Sequence, residues 1–145
     1  MSYKDLDQAV EISKLVKDSK LIIIHVIPEI PTPVFSKEVR SPKTRKVITF
    51  AEYMVSLYNE MESEIKEKLE ERKKEKYSKY NLDIEIFTTI GKPIDKILDY
   101  ANEIKVDLIV IGSIGITGVS KYFKGLGSVS RSISEKVSCP ILIVR

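Results

Sequence analysis

The chain reads as an α/β protein: a Rossmann-like parallel sheet with helices on both faces. Three observations predict this. Short β-branched apolar runs alternate with amphipathic stretches along the whole sequence. The run at residues 21–27 (LIIIHVI) is apolar throughout, as a strand buried on both faces is. In the last third, an apolar run breaks into a glycine-rich turn and is followed by an amphipathic stretch and a second apolar run. Strict strand–helix alternation implies right-handed crossovers and a parallel sheet.

The elements follow in order. Residues 3–18 carry Leu6, Ala9, Val10, Ser13 and Val16 at helical spacing, widened by Ile12 and Leu15. Ser2 followed by Asp5 suggests a capping box, with Ser2 as N-cap. The strand at 21–27 ends at Pro28, and residues 28–47 hold Pro28, Pro31, Pro33 and Pro42, which predicts a long mobile loop. A helix is expected from about residue 48 to 80, with Met54, Leu57, Tyr58, Met61, Ile65 and Leu69 in one stripe. Glu62 with Lys66, Glu64 with Lys68 and Glu70 with Lys74 are spaced to pair along it. Residues 82–87 alternate Ile84 and Ile86 with Asp83 and Glu85, as a half-exposed edge strand does. Gly91 and Pro93 mark a helix start, with Ile94, Ile97, Leu98, Ala101 and Ile104 facing inward. A strand at 108–111, a helix with Val129, Ile133 and Val137 inward, and a strand at 141–144 complete an α-β-α-β-α-β-α-β order.

Composition bounds the function. At 145 residues the chain has the size of one domain, and 43% apolar with 31% charged residues is the balance of a globular protein. No apolar run is long enough to cross a bilayer, and the N-terminus has no signal-like hydrophobic region, so a cytoplasmic location is expected. The one cysteine, Cys139, has no internal disulfide partner and fits a reducing compartment. A net charge of +3 is too small to argue for nucleic acid, and the cations Lys37, Arg40, Lys43, Arg45 and Lys46 lack the interleaved aromatics of a single-strand platform. His25 is the sole histidine, set in an apolar strand, and reads as a packed residue; no constellation of side chains supports a general base or a metal.

Five of the six glycines lie between residues 112 and 127: Gly112, Gly115, Gly118, Gly125 and Gly127. A strand, a glycine-rich turn and a helix N-terminus together can hold phosphate. Lys121 and Lys124 fall in the same turn, where they either face a polyphosphate or are solvated. By itself a short glycine motif is equally a flexible turn.

Four segments carry a more specific signal: LIIIHVIPEI (21–30), GKPIDKILDYANEIKVDLIVIGSIGITG (91–118), GSVSRSISEKV (127–137) and CPILIVR (139–145). Together they resemble the universal stress protein family over essentially the whole chain. In nucleotide-binding members, a Gly-x-x-Gly pair followed nine residues later by Gly-Ser binds the ribose and phosphates of ATP. The resemblance places Gly112 and Gly115 in the first pair and Gly127 with Ser128 in the second. It sets Val26 and Ile111 beside the adenine or ribose, and it gives Val129 a backbone amide to offer. Mg²⁺, if present, would be held mainly by the phosphates.

Two features depart from the family pattern. Eleven residues separate Gly115 from Gly127 where the family has nine; Gly125 restores the spacing but is followed by Leu126. The family also opens on a strand and an Asp-Gly-Ser loop whose Asp binds adenosine, whereas this chain opens at Met1-Ser2-Tyr3. In the family's strand order, 3-2-1-4-5, that first strand is the central one. Some six buried residues of such a strand are of order 10 kcal/mol, as much as a domain's net stability of ~5–15 kcal/mol. The expectation is either a protein that starts upstream or a strand recruited from a partner.

The resemblance implies residues 1–145 acting as one universal stress protein domain: an ATP-binding stress-response module, with slow hydrolysis at most. It also implies a homodimer through Ile141 to Val144, and an apolar edge strand with no following helix calls for such a cover on physical grounds. Two other readings stay open. One is a dimeric interaction module of the same fold that binds no nucleotide. The other is an adenine-nucleotide α-hydrolase-type enzyme, for whose usual substrate domain this chain has no room.

Overall fold

The computed structural model describes residues 3–30, 37–113 and 127–145. Helix α1 spans Lys4–Leu15, with Asp5 and Asp7 in its first turn, where the helix dipole favours negative charge. Its N-cap is Tyr3, which makes no side-chain cap bond; Ser2, the expected cap, lies outside the described residues. Ala9, Val10 and Ser13 are buried as the periodicity predicts. Leu15 and Val16 are not: the helix ends there, the backbone turns extended at Val16, and both side chains are exposed.

Strand β1, Lys20–Pro28, pairs in parallel with the later strand Asp83–Gly91, from Lys20 opposite Asp83 to Pro28 opposite Gly91. Only Ile27 of the apolar run is fully buried; residues 21–26 are half-buried, short of the burial on both faces that the sequence predicts. Between them the expected loop contains an antiparallel hairpin, β2 (Glu38–Arg40) and β3 (Val47–Thr49). Its tip closes through Ser41 N to Lys46 O and Arg45 N to Ser41 O, both 2.8 Å, with Arg45 left-handed at φ 56°. Pro42 sits in that tip, outside the ladder, so the proline punctuates the hairpin without blocking it.

Helix α2, Phe50–Arg72, starts at a capping box in which Thr49 and Glu52 satisfy one another's backbone amides. It buries Met54 and Leu69 and runs on through a π turn (Lys73–Tyr77) and a 3₁₀ turn (Ser78–Tyr80) to a left-handed Asn81. The expected pairings at four-residue spacing do not form among the described residues. Glu70 approaches Lys73 at 3.9 Å, and Glu62 accepts a hydrogen bond from Thr88 on the neighbouring strand.

Strand β4, Asp83–Gly91, keeps the predicted alternation at its start, with Ile84 buried between exposed Asp83 and Glu85, and continues past the predicted end to Gly91. Pro93 opens helix α3 (Pro93–Ile104), which ends on a left-handed Lys105. Strand β5 (Ile109–Gly112), helix α4 (Ser128–Lys136) and strand β6 (Ile141–Val144) follow, with β5 and β6 parallel. Val10, Tyr77 and Ile84 form one buried cluster where α1 and the end of α2 meet the starts of β1 and β4.

The fold is α/β with parallel strands, but among the described residues the strands do not join into one sheet. Among the described residues, β1 bonds β4 and β5 bonds β6, and no strand bonds β1 to β5. These pairs lie on either side of the central position in the expected order, so the order across that position has no ladder behind it.

Candidate functional site

The glycine-rich segment of the sequence begins where β5 ends. Gly112 stands opposite Val144, and Ser113 follows, 6% exposed. The Ser113 amide donates to the Val144 carbonyl at 2.7 Å, and its carbonyl accepts from the Gly127 amide at 2.8 Å. One residue therefore ties the ends of β5 and β6 to the start of α4.

Gly127 is the N-cap of α4, in extended conformation, and has no side chain to cap with. Its carbonyl accepts from the Arg131 amide and from the Ser130 hydroxyl, each at 3.0 Å. Ser130 and Ile133, 2% and 0% exposed, hold the helix in place from below. The first amides of a helix have no partner within it. Those of Ser128, Val129 and Ser130 have no acceptor among the described residues. With the positive end of the helix dipole behind them, they form a corner suited to an anion. Ser128 is exposed there, and Val129 is half-buried.

Of the residues the sequence nominated, the structure brings Ile111, Gly112, Gly127, Ser128 and Val129 to this corner. Val26 is half-buried on β1, opposite Thr89, and so belongs to the other strand pair. Gly115, Gly118, Lys121, Lys124 and Gly125 lie outside the described residues. His25 sits within β1 opposite Thr88, where burial pushes its pKa below the ordinary histidine range. Cys139 is a free, half-buried thiol. Among the described residues no group of three or more His, Cys, Asp or Glu could hold a metal. A cleft of about 500 Å³ lies elsewhere, between Lys4, Asp7 and Gln8 on α1 and the C-terminal residues 142–145.

Ser113 and Ser130 carry no motif in the sequence that marks them as site residues. Both act through backbone and cap bonds, which residue type does not announce; the only available signal was a small residue directly after a strand-ending glycine.

The Universal stress protein family profile matches residues 2–145. The universal stress protein YxiE of Bacillus subtilis is 34% identical over 148 residues, covering 100% of this chain and 91% of that protein. The solved structure of MJ0577, a universal stress protein of Methanocaldococcus jannaschii, superposes with a TM-score of 0.71 at 27% identity, covering 97% of this chain and 88% of the other. A universal stress protein solved in complex with cAMP gives a TM-score of 0.53 at 21% identity, covering 99% and 87%.

Proposed function

The chain belongs to the universal stress protein family, and from that premise we propose that residues 1–145 act as one nucleotide-binding stress-response module that holds ATP at the corner of β5 and α4. The observation that carries this reading is the Ser113 carbonyl pinning the Gly127 amide, which sets the unpartnered amides of α4 at the end of β5. The amides of Ser128 and Val129 and the Ser128 hydroxyl would hold phosphate oxygens. Gly112 would let the backbone approach the ligand, since it adds no Cβ. Gly115 would extend the cradle, and Ile111 and Val26 would border the adenine or ribose. Mg²⁺ would be held mainly by the phosphates, in keeping with its preference for oxygen ligands and retained water. Among the described residues no general base stands at this corner, and the reading is of a binding module, with slow hydrolysis at most.

Calorimetric titration with Mg-ATP, with cAMP as a second ligand, tests the reading. Saturable heat is expected. In Ser128→Glu the new carboxylate occupies the anion corner: ATP affinity should fall at least about tenfold while the helix, which favours an acid in its first turn, loses no stability. Unchanged ATP affinity in that variant would remove Ser128 and its neighbouring amides from the site.

A second reading, a same-fold interaction module without nucleotide, is favoured by one observation. Val26 and the α4 corner stand on strand pairs that no ladder joins among the described residues. No heat at millimolar ATP selects it. The α-hydrolase reading would require pyrophosphate release with a candidate substrate. In either binding reading the apolar edge of β6 (Ile141–Val144) pairs with a second copy, and light scattering at micromolar concentration should return twice the 16.5 kDa chain mass.

A further inference from the structure

The positive charge of this protein is concentrated in one small element. Residues 37–46 carry Lys37, Arg40, Lys43, Arg45 and Lys46 against one carboxylate, Glu38, a net of +4 in a chain whose total is +3. The remainder of the chain therefore sums to −1. All five cations are exposed on or beside the β2–β3 hairpin. Among the described residues only Lys43 has an acidic partner within ion-pair distance, Glu60 on α2 at 2.7 Å. Crowding like charges in this way costs stability.

The hairpin nevertheless holds them in fixed positions. Its base closes where the Phe50 amide donates to the Lys37 carbonyl at 2.8 Å, and its tip closes through the two Ser41 bonds. The Lys43–Glu60 pair ties the tip to α2, and Thr49, at the end of β3, caps that helix. Val39 and Ile48 pair across the ladder half-buried, which leaves Arg40 on the exposed side of the strand. Arg45 stands at φ 56°, a left-handed position where glycine or asparagine is the ordinary choice. A side chain retained against that backbone preference points to a role for its guanidinium.

We infer that this hairpin is a docking surface for a short acidic segment of a partner protein. Arg40 and Arg45 hold its Asp and Glu carboxylates through paired N–H donors, and Lys37 and Lys46 act as point charges. Size and chemistry select this occupant. A long phosphate polymer would run off the hairpin onto α2, which holds seven carboxylates against three cations. A membrane surface calls for apolar side chains to insert, and the tip at residues 41–46 carries no large one.

Fluorescence anisotropy of a labelled Asp-Glu-Glu-Asp-Glu-Glu peptide, titrated with the full chain, tests the inference. Saturable binding that weakens as salt rises is expected, with none for the Asn-Gln-Gln-Asn-Gln-Gln analogue. The triple variant Arg40→Gln/Arg45→Gln/Lys46→Gln should weaken binding at least about tenfold. Removing three exposed cations elsewhere, in Lys17→Gln/Lys66→Gln/Lys68→Gln, should change it less than about twofold. Arg45→Asn separates binding from folding: its Tm should hold or rise while the peptide binds more weakly. No binding at millimolar peptide overturns the inference, as does an equal loss in both triple variants. Binding of duplex DNA or of anionic vesicles in place of the peptide also overturns it. Self-association beyond a dimer that the Arg40→Gln/Arg45→Gln/Lys46→Gln variant abolishes would assign the hairpin to a second copy's α2, and overturns it too.

Discussion

Asp7 on α1 accepts hydrogen bonds from Tyr77 and, at 2.7 Å, from Arg72, so two side chains at the end of α2 grip the first turn of the N-terminal helix. The Arg72 guanidinium also lies over the Tyr3 ring, 4.0 Å from its centroid. Burial alone would raise the Asp7 pKa, but the bonds from Tyr77 and Arg72 outweigh it and hold the carboxyl below its ordinary value. Burial, reinforced by the bond to Asp7, pushes the Tyr77 phenol up to about 12. The folded chain thus binds that proton more tightly than the unfolded one. Its contribution is complete below the unfolded pKa of ~10 and is lost as pH rises through about 12. Thermal melts should fall across this alkaline window less steeply in Tyr77→Phe than in the parent, and the variant should cost ~1 kcal/mol at neutral pH. His25 has the opposite sign: its folded pKa is depressed, so its contribution stands above the unfolded ~6.5 and is lost as pH falls below it. His25→Gln should flatten the melting temperature between pH 7 and 5. At Gly91 the backbone sits at φ 149°, and an added Cβ would come 2.7 Å from the Lys96 Cε. The Lys96 chain can swing aside but the backbone cannot, so Gly91→Ala should destabilise by ~1–3 kcal/mol in urea titration.

Each helix draws its stability from a different place. α2 depends on its first turn, where the Thr49 hydroxyl accepts from the Glu52 amide and the Glu52 carboxylate accepts from the Thr49 amide. Thr49→Ala should cost ~1 kcal/mol by chemical denaturation. α4 is short, with a side-chain-free N-cap, so its placement rests on Ile133 beneath it. Ile133→Ala should cost ~2–5 kcal/mol and weaken any ATP binding together with stability, unlike Ser128→Glu. The existence of α1, α3 and α4 was legible because their apolar stripes have helical period, although α1 stops at Leu15 and Val137 lies just past the end of α4. The β2–β3 hairpin was not, because its strands are three residues each, too short for period-two alternation to stand out between prolines. The charged pairs along α2 were misassigned for a related reason. Spacing makes Glu62 and Lys66 neighbours, yet Glu62 turns to a strand hydroxyl that only the tertiary fold supplies.

At the scale of the molecule, parallel strands and helices alternate apart from the inserted antiparallel β2–β3 hairpin, and no helix among the described residues is long and apolar enough to cross a membrane. The interior is uneven: the Val10–Tyr77–Ile84 cluster is closed, while most of β1 and all of β5 remain half-buried. Stability should therefore respond more to what pairs with the strand edges than to surface substitutions, and a melting temperature that rises with chain concentration would reveal pairing through β6. The sequence by itself determined the α/β class and the family, because apolar periodicity and residue placement are local properties of the chain. Only the tertiary structure decided that Ser113 joins β5, β6 and α4, that Asp7 meets Arg72 and Tyr77 across 65 and 70 residues, and that the described parallel strands form two pairs. Those outcomes depend on hydrogen bonds between segments distant in the chain, and no residue pattern in either segment alone encodes its partner.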